Sequence, residues 1–195
     1  MLSISAHYER HTVPTCRRYA TWAGISASLS ESRHLPVLDE QPLRDFVTHV
    51  QACGEAAFAA QVLQNKQRTW ANQRAPLKAV ATRTYAEILI SHGVETLSDA
   101  NALLADLERM KVVEHALASD AGHGSGARLA YLWMLLGDDG HIKPDRMVRR
   151  WLQAALHRAV TTSEAIRLVT AAAVRLSCTP WELDHAIWEH QRRSS

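Results

Sequence analysis

Apolar positions recur along this chain at helical intervals. Leu77, Val80, Ala81, Tyr85, Ile88 and Leu89 share one helix face, closed by Gly93 as a C-terminal cap. Met147, Val148, Trp151, Leu152 and Ala155 form a second stripe, with Pro144 where a first helical turn tolerates it. Thr179 and Glu182 have the spacing of a capping box for a last helix that opens on Pro180. The pattern predicts helices near 41–53, 55–65, 75–92, 98–105, 107–118, 126–137, 144–158, 162–177 and 180–192. No run alternates apolar and polar residues with β-branched enrichment over a strand length, and no proline falls between Pro76 and Pro144. The expected class is all-α. The first 38 residues, with Pro14, Pro36 and many serines, carry the weakest pattern.

Composition narrows the class further. A chain of 195 residues that is 47% apolar can bury a full core, as one domain or as two small lobes, and is not expected to be disordered. Cys16, Cys53 and Cys178 are odd in number, far apart and without metal-ligand spacing, so reduced thiols and a cytoplasmic location are expected. The segment Met1 to Arg10 lacks a basic stretch followed by an apolar one, and the longest apolar run, Leu129 to Leu136, is too short for a bilayer; neither export nor a membrane partner is expected. Eleven histidines show no ligand pattern, and His185 and His190 are not one helical turn apart, so no metal is expected.

The formal net charge of +2 says less than its distribution. Between Gln64 and Arg83 lie five basic residues (Lys66, Arg68, Arg74, Lys78, Arg83) and no acid. Lys143, Arg146, Arg149, Arg150 and Arg158 form a second basic stretch opposed only by Asp145. Two basic segments suit a polyanion; two solvated helix faces are the plainer alternative.

One segment carries more specific chemistry. Gly122-His123-Gly124-Ser125-Gly126 places a glycine at every second position just before an apolar helix. Glycines there accept positive φ, and the following helix N-terminus offers N–H groups to a phosphate. Tight helix packing explains the same glycines equally. After the apolar helix come a short polar loop, Gly137 to Gly140, and the run Ile142-Lys-Pro-Asp-Arg-Met-Val-Arg-Arg-Trp151.

This order resembles the helix-hairpin-helix (HhH-GPD) DNA glycosylase superfamily over about 57–158. Gly124 and Gly126 match the hairpin glycines, Ala130 the alanine after them, and Asp145, nineteen residues past Gly126, the aspartate that opens a helix of the form Asp-x-x-Val-x-Arg. Ser125 stands where an apolar residue is usual and Leu129 replaces a threonine, and the hairpin register could instead use Gly122 and Gly124. Upstream, Gln61 to Thr69 looks like the superfamily's helix end that enters the duplex at a lesion.

The resemblance implies a two-lobed helical fold with a cleft between lobes. Residues 1–60 with 150–195 would form one lobe, and 61–149, with the hairpin at about 107–137, the other. It implies that Asp145 is the carboxylate that stabilises positive charge on the deoxyribose as the N-glycosidic bond breaks. Without it, Asp145 would read as an acid stabilised in a helix's first turn. Arg128 stands where lyase-competent members carry a nucleophilic lysine. A guanidinium cannot do that work, so hydrolysis without strand cleavage is implied, and Arg128 would contact phosphate or simply be solvated. Gly122, Gly124, Ser125, Gly126 and Lys143 would bind the DNA backbone; Asn65, Lys66, Gln67 and Arg68 would fill the gap left by the flipped base. Trp70, Trp133, Trp181, Asp184 and Trp188 are candidates for the base pocket, although tryptophans at helical spacing commonly belong to a core.

The expected partner is double-stranded DNA with a damaged or modified base, the protein acting as a monomer without a cofactor; a main-chain alkali ion in the hairpin stays open by resemblance. Which base is excised, and whether in base excision repair or in defence against modified phage DNA, is not written in these residues. A noncatalytic DNA-binding module and a helical protein-interaction domain are the two competing readings.

Overall fold

The computed structural model describes residues 6–25, 40–119 and 127–193, and among these it is all-helical, the one β-bridge being an isolated pairing of Arg68 with Leu77. The chain divides into two compact units, Met1–Gly124 and Ser125–Ser195.

In the first unit a π-helical turn, Tyr8–Thr12, leads into α1 (Val13–Trp22). There follow α2 (Leu43–Cys53), the short α3 (Glu55–Ala57) that continues as a π-helical turn over Phe58–Val62, α4 (Lys78–Ser91), α5 (Leu97–Leu104) and α6 (Leu107–Ala118). Their ends have local causes. Gly93, at φ 72, closes α4, and the Val94 N–H reaches back to the Leu89 carbonyl at 2.9 Å. Thr96 and Asp99 cap α5 reciprocally, and Asp106 caps α6 through the Arg109 N–H at 3.1 Å. α2 packs on α4, and α4 and α5 on α6. The core holds Val50, Phe58, Ala59, Val62, Leu63 and Ala79, with Tyr19 and Phe46 edge-to-face beside it at 5.3 Å.

The second unit contains α7 (Ala127–Leu135), α8 (Arg146–Leu156), α9 (Thr162–Arg175) and α10 (Pro180–Arg193). α10 packs on α8 and α9, which also pack on each other. Ile142, Val148, Leu152, Val160, Ala165, Val169 and Ile187 form the core between them. The capping box at α10 is present, with Thr179 N–H on Glu182 at 2.7 Å and Glu182 N–H on Thr179 Oγ1 at 3.1 Å.

Each of the nine expected helices has a counterpart, within a few residues at either end. The structure adds the N-terminal α1, which the sequence pattern leaves unread, with Pro14 in its first turn. Pro144 lies just before the N-cap of α8 instead of inside its first turn. The three cysteines are free thiols. No helix among the described residues is long and apolar enough to cross a membrane.

Candidate functional site

Two helices of the second unit, α7 and α8, meet at the turn Lys143–Pro144–Asp145. Proline fixes its own φ near that of an inverse γ-turn, and the Asp145 N–H closes on the Lys143 carbonyl at 2.6 Å. Asp145 is the N-cap of α8: its Oδ1 accepts the N–H groups of Met147 at 2.7 Å and Val148 at 3.3 Å. Its Oδ2 stands 3.5 Å from Lys143 Nζ, in a pair that is neither buried nor fully open, the side chains being 24% and 16% exposed. From α7, the Tyr131 ring lies under the same ammonium, 4.2 Å from ring centroid to Nζ.

α10 contributes Asp184, which is buried, only 6% exposed. Its Oδ1 has no hydrogen-bond partner among the described residues. Burial pushes the Asp184 carboxyl up to about 7, the negative charge of Asp145 pushes it the same way, and the N–H and ammonium of Lys143 oppose the rise.

The outer side of α10 carries an aromatic ladder. Trp181 and His185 are stacked with centroids 5.4 Å apart, His185 and Trp188 at 5.7 Å, and the Arg192 guanidinium lies 5.2 Å over Trp188. The loop before α8 is fixed to this helix by the Trp181 N–H, which donates to the Asp139 carbonyl at 3.1 Å. Such a surface can offer π faces and a cation to a planar, anionic partner.

The other expected site residues divide by burial and by unit. Lys143, Asp145, Trp181, Asp184 and Trp188 lie in the second unit, as do Arg128 and Trp133 of α7. Arg128 is buried, and Trp133 is fully buried, so its ring serves the packing of α7. Asn65, Lys66, Gln67, Arg68 and Trp70 belong to the first unit. Asn65 is buried and spends its amide locally, donating to Thr15 Oγ1 at 3.1 Å and accepting the Gln67 N–H at 2.9 Å. Gln67 accepts from the buried Lys78 at 3.0 Å, and Arg68 donates to the Ala75 carbonyl; Lys66 and Trp70 are exposed. Gly122, Gly124, Ser125 and Gly126 lie outside the described residues.

Part of the basic charge serves the fold. Arg83 pairs with Glu55 at 2.7 Å and with Glu87, Arg158 pairs with Glu164, and Arg149 donates to the Val160 carbonyl at 3.2 Å. Arg146 and Arg150 remain exposed on α8. One participant was missed from the sequence: Tyr131 was read only as part of an apolar run. Gln64, in the first unit, is exposed at φ 48, one of three non-glycine residues at positive φ among the described residues, beside His157 and Ser177.

A family model described as a domain of unknown function (DUF8548) matches residues 1–192. No curated protein and no solved structure matches the chain.

Proposed function

The chain belongs to the DUF8548 family, whose description names no activity, and we propose that it is a monofunctional DNA glycosylase, which flips a damaged or modified base from the duplex and hydrolyses its N-glycosidic bond. The observation that carries this reading is the state of Asp145. One carboxylate oxygen is bound to the start of α8 and the other faces Lys143, so the group is aimed by the fold before any substrate arrives.

Breaking the bond from C1′ to the base nitrogen leaves positive charge on the sugar. A carboxylate held beside C1′ stabilises that charge and orients the water that adds to it. The ammonium of Lys143 and the exposed Arg146 and Arg150 supply cations for the flanking phosphates. By resemblance, the glycine segment Gly122 to Gly126 adds main-chain phosphate contacts, and of the residues expected to fill the gap in the stack, Asn65, Lys66, Gln67 and Arg68, the exposed Lys66 is the one with no local partner among the described residues. Trp181 and Trp188 offer faces on which an extruded base stacks. Arg128 at the position of the lyase lysine implies release of an intact abasic strand.

The test is abasic-site formation in a panel of duplexes and phage DNAs carrying different modified bases, with alkali to reveal the sites, for the wild type and Asp145→Asn. Alkali-dependent breaks on one substrate, absent in the variant, establish the reaction and identify the base. Salt-sensitive DNA binding without breaks on any substrate points to a noncatalytic module instead.

A further inference from the structure

The loop before α8 holds a second pair of side chains arranged for acid–base chemistry. His141 Nδ1 stands 2.8 Å from Asp138 Oδ2, and the other oxygen of Asp138 accepts the Gly140 N–H at 2.6 Å, so the carboxylate is fixed on both sides. A carboxylate only accepts, so the hydrogen of this pair sits on His141 Nδ1 and the lone pair of the neutral ring is left on Nε2. Nε2 has no hydrogen-bond partner among the described residues, and the side chain is 30% exposed.

The run that follows carries the ring toward Asp145. From His141 to Asp145 the chain lies outside any helix and burial alternates: Ile142 and Pro144 are buried, while His141, Lys143 and Asp145 stay partly open. Alternate side chains of a non-helical run point to one side, and Lys143 and Asp145, 3.5 Å apart, do so here. The Trp181 N–H on the Asp139 carbonyl holds the loop to α10, so its placement belongs to the fold. Both oxygens of Asp145 are engaged, one by the start of α8 and one by Lys143, and the proton that an attacking water must lose calls for another acceptor.

We propose that Asp138 and His141 form a general-base dyad beside Asp145: Asp138 holds the ring in its Nδ1–H form, and His141 Nε2 takes the proton of the water that adds to C1′. The tautomer and the open Nε2 stand on the loop alone; the reaction at C1′ rests on the glycosylase reading. In that step the water oxygen bonds to C1′ and the electron pair of the N-glycosidic bond leaves with the base nitrogen. One water proton passes to Nε2, and the imidazolium returns it to the departing nitrogen. His141 is then a catalytic residue and Asp138 a positioning residue.

Two readouts on the full-length chain test this. Long-range ¹H–¹⁵N NMR in mildly alkaline buffer reads the tautomer of the His141 ring, assigned by its loss in His141→Ala. The wild type should show Nδ1–H. In Asp138→Asn the amide oxygen can keep the Gly140 N–H while the amide nitrogen donates to Nδ1, so the ring should turn to Nε2–H. The second readout is the single-turnover rate of abasic-site formation at saturating enzyme. His141→Ala should slow it by about 100- to 10,000-fold, and added imidazole should speed that variant again but leave Asp145→Asn slow. Asp138→Asn should be slowed with DNA binding unchanged.

A wild-type ring in the Nε2–H form, a His141→Ala protein as fast as the wild type, or a slow one that imidazole does not rescue overturns the proposal. An Nδ1–H ring that switches in Asp138→Asn, in a protein that forms abasic sites on no substrate, upholds the dyad and refutes the glycosylase reading alone.

Discussion

Asp145 and Lys143 stand 3.5 Å apart across the single proline that separates them, each anchored by a different helix. The carboxylate belongs to the start of α8 through its cap, and the lysine to α7 through its ring contact. An ion pair anchored in this way can be altered at either member without taking the other away.

For Asp145 the fold and the chemistry separate cleanly. Asparagine caps a helix about as well as aspartate, whereas alanine forfeits about 1 kcal/mol. Asp145→Asn is therefore expected to melt close to the wild type and Asp145→Ala several degrees lower, while both lose abasic-site formation by orders of magnitude. Thermal denaturation beside the excision assay checks this; an active Asp145→Asn protein would leave the residue with its capping role only.

Lys143→Met keeps an apolar stem against Tyr131 and deletes the charge. DNA binding titrated at several salt concentrations should weaken, with the log–log slope shallower by about one for the lost phosphate contact. An unchanged slope would show that the ammonium serves Asp145 alone.

Stability should also report Asp184. Burial holds this carboxyl at about 7 in the folded protein, against the ordinary aspartate value of 3.8, so between those values it binds a proton that the unfolded chain has released. The associated stability is complete below the unfolded value and is lost as pH rises through the folded one. Asp184→Asn should thus be more stable than the wild type above neutral pH, by at most about 4 kcal/mol, with the advantage fading toward acid. Urea denaturation at several pH values measures it; a difference independent of pH would rule out the linkage.

The tryptophans should sort into two kinds. Trp133 is fully buried, so Trp133→Ala is expected to cost about 3 to 5 kcal/mol of folding stability. Trp188 lies on the ladder of α10, where Trp188→Ala should leave melting nearly unchanged and weaken binding of a duplex carrying a flipped base by about 1 to 3 kcal/mol. Equal effects of Trp188→Ala on matched and base-extruded duplexes would remove it from the pocket.

How far the sequence was legible follows from the range of the interactions involved. Helices such as α4 and α10 are written locally, in an apolar stripe, a closing Gly93 and the Thr179–Glu182 box, and these features recur in the structure. Asp145 was visible as a motif match and as an acid near a helix start, but the pattern placed it inside the first turn, one position past the cap that it forms. Tyr131 was not, because its place under Lys143 depends on α7 meeting a turn twelve residues later. Asp184 was visible as a member of a helix face but not as a group that keeps its proton near neutral pH, since that depends on burial and on an acid 39 residues earlier. Asn65 and Lys78 illustrate the converse: polar residues that looked available for DNA are spent on Thr15 and Gln67.

That a single carboxylate both starts α8 and, in the proposed reaction, meets the sugar has a genetic consequence. Asparagine at 145 would pass every quality check on folding and still occupy the target DNA. Loss of the proposed activity at this position would therefore leave the amount of folded protein unchanged, whereas changes that unfold the second unit would lower it.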